Sequence, residues 1–181
     1  MALSTVVTTL IILVVSVLLA GVVTYFAINV VSTRSQQESL QISDAHIWVD
    51  SAGTAEGAFL ITNTGGRDVV ISQITVRGQS EAFATNVFYA TLKSPDTLPN
   101  DLSPIAAGSL SGAHPFTGTA SSLGAAPGEL VLASGGKMAI YITGPDSVTI
   151  NDVGTSIAVT VFSAQAMYYQ ETNVQATTVT L

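Results

Sequence analysis

The sequence contains no cysteine among its 181 residues. Disulfides, thiolate nucleophiles and zinc sites built on Cys are thereby excluded, and the redox compartment stays open. Charge is nearly as scarce. Only 9% of residues are Asp, Glu, Lys or Arg, against about a quarter in ordinary soluble proteins. The five basic residues (Arg34, Arg67, Arg77, Lys93 and Lys137) stand singly and the net charge is −7, so there is no basic patch to hold nucleic acid. Neither of the two histidines, His46 and His114, lies at ligand spacing from a second His with Cys, Asp or Glu, as a metal site requires. In HIWVD, His46 reads as a strand residue. There is no P-loop, no G-x-G-x-x-G and no G-x-S-x-G elbow. The expectation is a protein without enzymatic activity, cofactor or metal. No Asn-x-Ser/Thr acceptor occurs, so any glycan would be O-linked, with the Ser and Thr of 103–122 as candidates.

What the sequence does have is a run without charge. From Met1 to Thr33 there is no Asp, Glu, Lys, Arg or His. As a helix rising ~1.5 Å per residue it would be roughly 50 Å long, well beyond the ~30 Å hydrocarbon core of a bilayer. Its many Val, Ile and Thr residues are only fair helix formers in water. In lipid, or among like helices, the backbone must satisfy its own hydrogen bonds, and the helix forms regardless. Membrane signals carry a positive segment before the apolar run; here the run starts at once. Either Met1 is the initiator and Arg34 weakly favours holding the C-terminal part inside, or, the preferred reading, a short basic leader has been removed. Gly21, beside Ala20, is a point of close helix approach or a soft point. The hydroxyls of Ser4, Thr5, Thr8, Thr9, Ser16 and Thr24 either return to the backbone or bridge helices.

Composition turns polar at Arg34–Ser43, where the helix is expected to continue through Glu38 and end before Asp44. The domains are therefore 1–43, the hydrophobic helix, and 44–181, a strand-rich outer domain. Strands are expected at His46–Asp50, Ala58–Thr64, Asp68–Gly78 and Ala82–Leu92, with the second and third joined as a hairpin across Asn-Thr-Gly-Gly-Arg. Residues 93–127 hold five of the six prolines and read as a long surface excursion, with short strands near Phe116. Further strands follow at Glu129–Ala133, Lys137–Thr143, Ser156–Ala164 and from Met167 onward. PDTLPND (95–101) and PDSVTIND (145–152) gather Asp and Asn, and turns explain them better than calcium does. Short strands punctuated by Gly and Pro indicate an antiparallel β-sandwich. The fold class is α+β: a long hydrophobic N-terminal helix, then a β-sandwich.

This order of parts resembles archaeal type IV pilin-like subunits, adhesive pilins and archaellins. ALSTVVTTLIILVVSVLLAGVVTYFAI is similar to the helix left after a prepilin peptidase removes a basic leader. FLITNTGGRDVVISQITVRG resembles the family's early strand, Gly-rich turn and strand; LASGGKMAIYIT and SIAVTVFSAQAMYYQ resemble its paired late strands. Bacterial type IV pilins place a Glu near the fifth mature residue; Thr5 stands here, as the archaeal branch allows. The resemblance implies an extracellular filament subunit, membrane-inserted before assembly, whose partners are identical subunits, the peptidase and the pilus assembly machinery. Helix packing in the filament core would fall to Leu10, Val14, Leu18, Gly21, Val22 and Tyr25. An adhesive pilus is the first reading and an archaellum its alternative. The competing class is a single-span surface protein whose β-sandwich binds a partner; it leaves the apolar residues beyond a bilayer's width unexplained.

Overall fold

The structure, a computed structural model, describes residues 2–92, 102–106, 108–112, 114 and 123–181; of the helix side chains, those of Ala2, Arg34 and Ser35 are left aside. It divides into two compact units, Met1–Gln37 and Glu38–Leu181. The first is helix α1, Ala2–Ser35, 34 residues without a break. No proline or charge interrupts it before Arg34, and Gly21 leaves it continuous. Five of its hydroxyls turn inward to their own backbone. Thr8, Ser16, Thr24 and Thr33 each donate to the carbonyl four residues back (Ser4, Ile12, Ala20 and Asn29), and Thr9 donates to Val6. Each such bond hides a polar group that lipid or an apolar neighbour would penalise.

The helix is shorter than expected. Strand β1 begins at Leu40, not beyond Ser43. Capture by the neighbouring strand is the reason: Thr64 and Gly65 donate their N–H groups to the Ser39 carbonyl at 2.9 and 3.1 Å, and Leu40 is buried. The boundary between the units accordingly falls at Gln37/Glu38 rather than at 43/44.

The second unit runs β1 (Leu40–Val49), β2 (Ala55–Asn63), β3 (Val69–Val76), β4 (Gln79–Ser80), a helical turn α2 (Phe83–Asn86), β5 (Val87–Leu92), β6 (Gly124–Ala125), β7 (Leu130–Leu132), β8 (Lys137–Thr143), β9 (Ser156–Ser163) and β10 (Met167–Ala176). The strands form one continuous sheet in the order β4-β3-β9-β10-β1-β2-β8-β5-β6, with β7 also on β3. It curls into a half-barrel, so strands far apart in that order line one core. Ile71, Ile74 and Val161 of β3 and β9 belong to the same buried cluster as Phe59, Ile61 and Ile140 of β2 and β8. The expected sandwich of separate antiparallel sheets is thus replaced by a curled sheet joined through a parallel pair, with Ile47 opposite Val174 and Val49 opposite Ala176 on β1 and β10.

The expected hairpin between the second and third strands is also corrected. β2 pairs with β1 and β8, whereas β3 pairs with β9, β4 and β7. Asn63 makes the difference. Fully buried, it accepts the Gly65 N–H and donates to the Arg67 and Leu132 carbonyls at 2.9, 2.8 and 3.0 Å. The turn is therefore fixed as a corner that sends the chain to β7's side of the core. In the loop after β8, Asp152 accepts both the N–H and hydroxyl of Thr149 and pairs with Arg77 at 2.6 Å, so its carboxylate serves a turn and an ion pair.

A second cluster lies on the opposite face of β1, β2, β8 and β5. Trp48, Ala58, Leu60, Ala90 and Tyr141 are covered there by Leu102, Ile105, Leu110 and Leu123. The excursion after β5 is, in its described part, a strap packed on the sheet and not a surface loop. The reason is alternation: the outward side chains of these strands are apolar and need a cover. Phe116 and the 95–101 cluster lie outside the described residues.

Removing the corner should be costly. Asn63→Ala would leave the Leu132 carbonyl and its neighbours without a donor, a loss of about 2–4 kcal/mol at roughly 1 or more per buried bond. Urea unfolding of the detergent-solubilised chain, followed by the fluorescence of its single Trp, buried Trp48, is expected to show a clearly lowered midpoint with an unchanged slope.

Candidate functional site

The helix is the first candidate. Leu10, Val14, Leu18, Gly21, Val22 and Tyr25 all lie on α1, and at about 100° per residue their spacing places them within roughly a third of its circumference. The structure brings these six onto one stripe, yet the stripe is not distinctive. Every large apolar side chain from Leu3 to Val31 is between 43% and 81% exposed within the chain, so apolar side chains are exposed on every face. A helix hydrophobic all round needs cover on every side. The apolar segment Leu3–Thr33, 31 residues, is long enough to cross a membrane. An added Cβ at Gly21 would meet nothing within 4 Å, so space within the chain does not restrict that position.

His46 stacks on Trp48 in β1, with ring centroids 5.3 Å apart and planes inclined by 8°. Among the described residues no three His, Cys, Asp or Glu groups gather as a metal site would require. Asp44 and Asp50 do not act as a pair. Asp44 has a φ of 49° within the irregular stretch between Ser43 and His46, whereas buried Asp50 accepts N–H groups from Ala52, Thr54 and Leu181.

The second candidate was not singled out by its sequence. Glu56 lies in β2 on the same alternation as Ala58 and Leu60, facing the strap, and is only 2% exposed. One carboxylate oxygen, Oε1, accepts the Ile105 N–H at 2.9 Å. Close by, buried Tyr141 donates its hydroxyl to the Ser103 carbonyl at 3.0 Å. Burial raises the Glu56 pKa to about 7, outweighing the opposing Ile105 bond. The Tyr141 hydroxyl is also pushed up, first by burial and then by the Glu56 charge. Beside Glu56 is a cavity of about 210 Å³ lined by Ala55, Ile105, Leu110, Thr143 and Leu181 among others. The stretch SAGTAEG reads as a turn by composition, which hid the Glu. The signal that would have found it is one charge in phase with Ala58 and Leu60.

Comparison with known proteins adds little. No protein-family model matches the chain, and no curated protein matches it in sequence. Among solved structures, the Pseudomonas fluorescens alkylpurine DNA glycosylase AlkC, bound to DNA containing an abasic site analog, aligns at 12% identity with a TM-score of 0.29, covering 76% of this chain. The chain spans 30% of that protein's length, and a likeness this slight carries no argument about fold or function.

Glu56 yields a pH signature. Its folded pKa of about 7 lies above its ordinary value, so the folded state holds the proton more tightly than the unfolded chain. The associated stabilisation is fully present below about pH 4.5 and is lost as pH rises through about 7. Urea midpoints measured from acid to mildly alkaline pH should fall across that window in the native chain. Glu56→Gln should remove that part of the slope; an identical profile in the variant would contradict the assignment.

Proposed function

We propose that the chain is a structural subunit of an extracellular type IV pilus-like filament, held together through α1. The observation that carries this reading is a 34-residue helix, its large apolar side chains exposed on every side. A bilayer covers about 20 residues of such a helix; a bundle of like helices covers it along its whole length. In this account the helix waits in lipid and then exchanges lipid contact for contact with identical helices, Leu10, Val14, Leu18, Gly21, Val22 and Tyr25 packing on their neighbours. The strand domain serves as outer wall, the role the expected sandwich was to fill, and its few charges suit contact with other copies. Surface adhesion is the first use of the filament and rotation in an archaellum the second. The resemblance of the helix sequence to archaeal pilins supports the reading, as do hydroxyls bonded back to their own helix; the late strands that resemble the family's pair are not neighbours here, β8 lying between β2 and β5 and β9 between β3 and β10.

Each fully buried Leu, Ile or Val contributes ~1.5–3 kcal/mol relative to exposure, whereas exposed ion pairs contribute ~0–1 each. Filaments should therefore survive high salt. Val14→Asp or Leu18→Asp would set an unpaired carboxylate in the core and should abolish them. Gly21→Leu separates insertion from assembly, because added apolarity favours the membrane while the larger side chain prevents close approach. Immunoblots of membranes and of sheared surface fibres should give normal membrane levels and strongly reduced fibre yield for Gly21→Leu. Normal fibre yield from Val14→Asp would favour the single-span anchor displaying a binding domain.

A further inference from the structure

We propose that the cavity between the strap and the sheet is a binding site for a small organic cation, a primary ammonium on a short apolar body, received by the Glu56 carboxylate. The inference is independent of the filament reading, because it concerns the strand domain alone. The cavity, about 210 Å³, has Glu56 at its wall with Ala55, Ile105, Leu110 and Leu181 as apolar lining, and Thr143 as a further hydroxyl. A neighbouring cleft of about 230 Å³ shares Gly108, Leu110 and Thr143 and adds Phe88, giving an apolar body room to extend. Both volumes approach the lower end of the range for small-molecule sites, ~300 Å³.

Charge selects the ligand. Among the described residues, no Lys or Arg lines either cavity. Among the described residues the carboxylate is bonded by a neutral backbone N–H, that of Ile105, and by no cation, so when ionised it stands in an apolar wall. A buried carboxylate of that kind either keeps its proton or acquires a counter-charge. The titratable neighbour on β8 is Tyr141, which supplies no positive charge. The described strap residues 102–106 and 108–112 carry no titratable group, and Asp50 at the end of β1 adds only negative charge while holding the Leu181 N–H. An ammonium is thus the group that completes the site, its N–H donors meeting the carboxylate and its alkyl part meeting Leu110 and Leu181. The overall charge of −7 favours the approach of cations and disfavours anions.

Binding and ionisation are coupled. An ammonium binds the carboxylate form, so protonation of Glu56 competes with it, and affinity falls up to tenfold per pH unit below the carboxyl pKa. The test uses the full chain in a nonionic detergent, titrated calorimetrically with n-butylammonium, with 1-butanol and butyrate as isosteric controls. Saturable millimolar binding of butylammonium is expected near pH 8, about tenfold weaker near pH 6, with none for the alcohol or the carboxylate. Glu56→Gln should abolish binding while Trp48 remains buried by fluorescence. Leu110→Trp, which fills the cavity with the carboxylate intact, should abolish it as well and serves if the first variant does not fold. Absence of saturable butylammonium binding, equal binding of 1-butanol, or unchanged binding in a folded Glu56→Gln or Leu110→Trp variant would overturn the proposal.

Discussion

Apolar side chains distributed around a whole helix leave no face for water, and that constraint governs everything the N-terminal unit can do. In a soluble protein one stripe of a helix faces a core and the rest is polar; in α1, Leu3 through Val31 are apolar on all sides. The hydroxyls reinforce the point, since those of Thr8, Ser16 and Thr24 are already spent on carbonyls of the same helix. Such an element is stable only where lipid or similar helices replace water. Its length then separates the two covers, because a bilayer satisfies about two-thirds of it at ~1.5 Å per residue and a bundle satisfies it all.

The strand unit meets a related constraint differently. A curled sheet buries its concave side against itself, as Phe59, Ile71, Ile140 and Val161 do. The convex side of β1, β2, β8 and β5 is apolar too, and the strap residues Leu102, Ile105, Leu110 and Leu123 cover it. Covering that face brings backbone and side-chain polar groups into the dry zone, and they find partners: the Ser103 carbonyl with Tyr141, the Ile105 N–H with Glu56. Glu56 is served poorly: the Ile105 hydrogen bond does not offset its burial, which raises its pKa to about 7.

Much of this was legible in the sequence where local pattern decides. The helix followed from an uncharged run, and β8 and β9 from alternation bounded by Gly-Gly and Gly-Pro turns, nearly to the residue. The failures came where distant contacts decide. Nothing local in Asn-Thr-Gly-Gly-Arg distinguishes a hairpin from the corner that Asn63 builds with Leu132, 69 residues away. In sequence, residues 40–43 group with the helical unit because they follow it, yet pairing with β2 makes them strand. The strap's prolines suggested a surface loop, although Leu102, Ile105 and Leu110 recur as its apolar anchors. For the candidate sites, the helix stripe was visible as spacing but is one of many equivalent stripes. The Glu56 cavity was invisible because its walls come from β2, β8, the strap and the end of the chain.

The account depends most on what covers α1 outside the membrane. Cryo-electron microscopy of sheared surface fibres, at a resolution that traces side chains, tests this most directly. The account predicts a helical polymer of this chain in which residues 2–33 lie at the axis, packed on the same residues of neighbouring copies. Recovery of the chain solely as separate membrane-embedded copies, or a fibre whose axis lacks this helix, would contradict it.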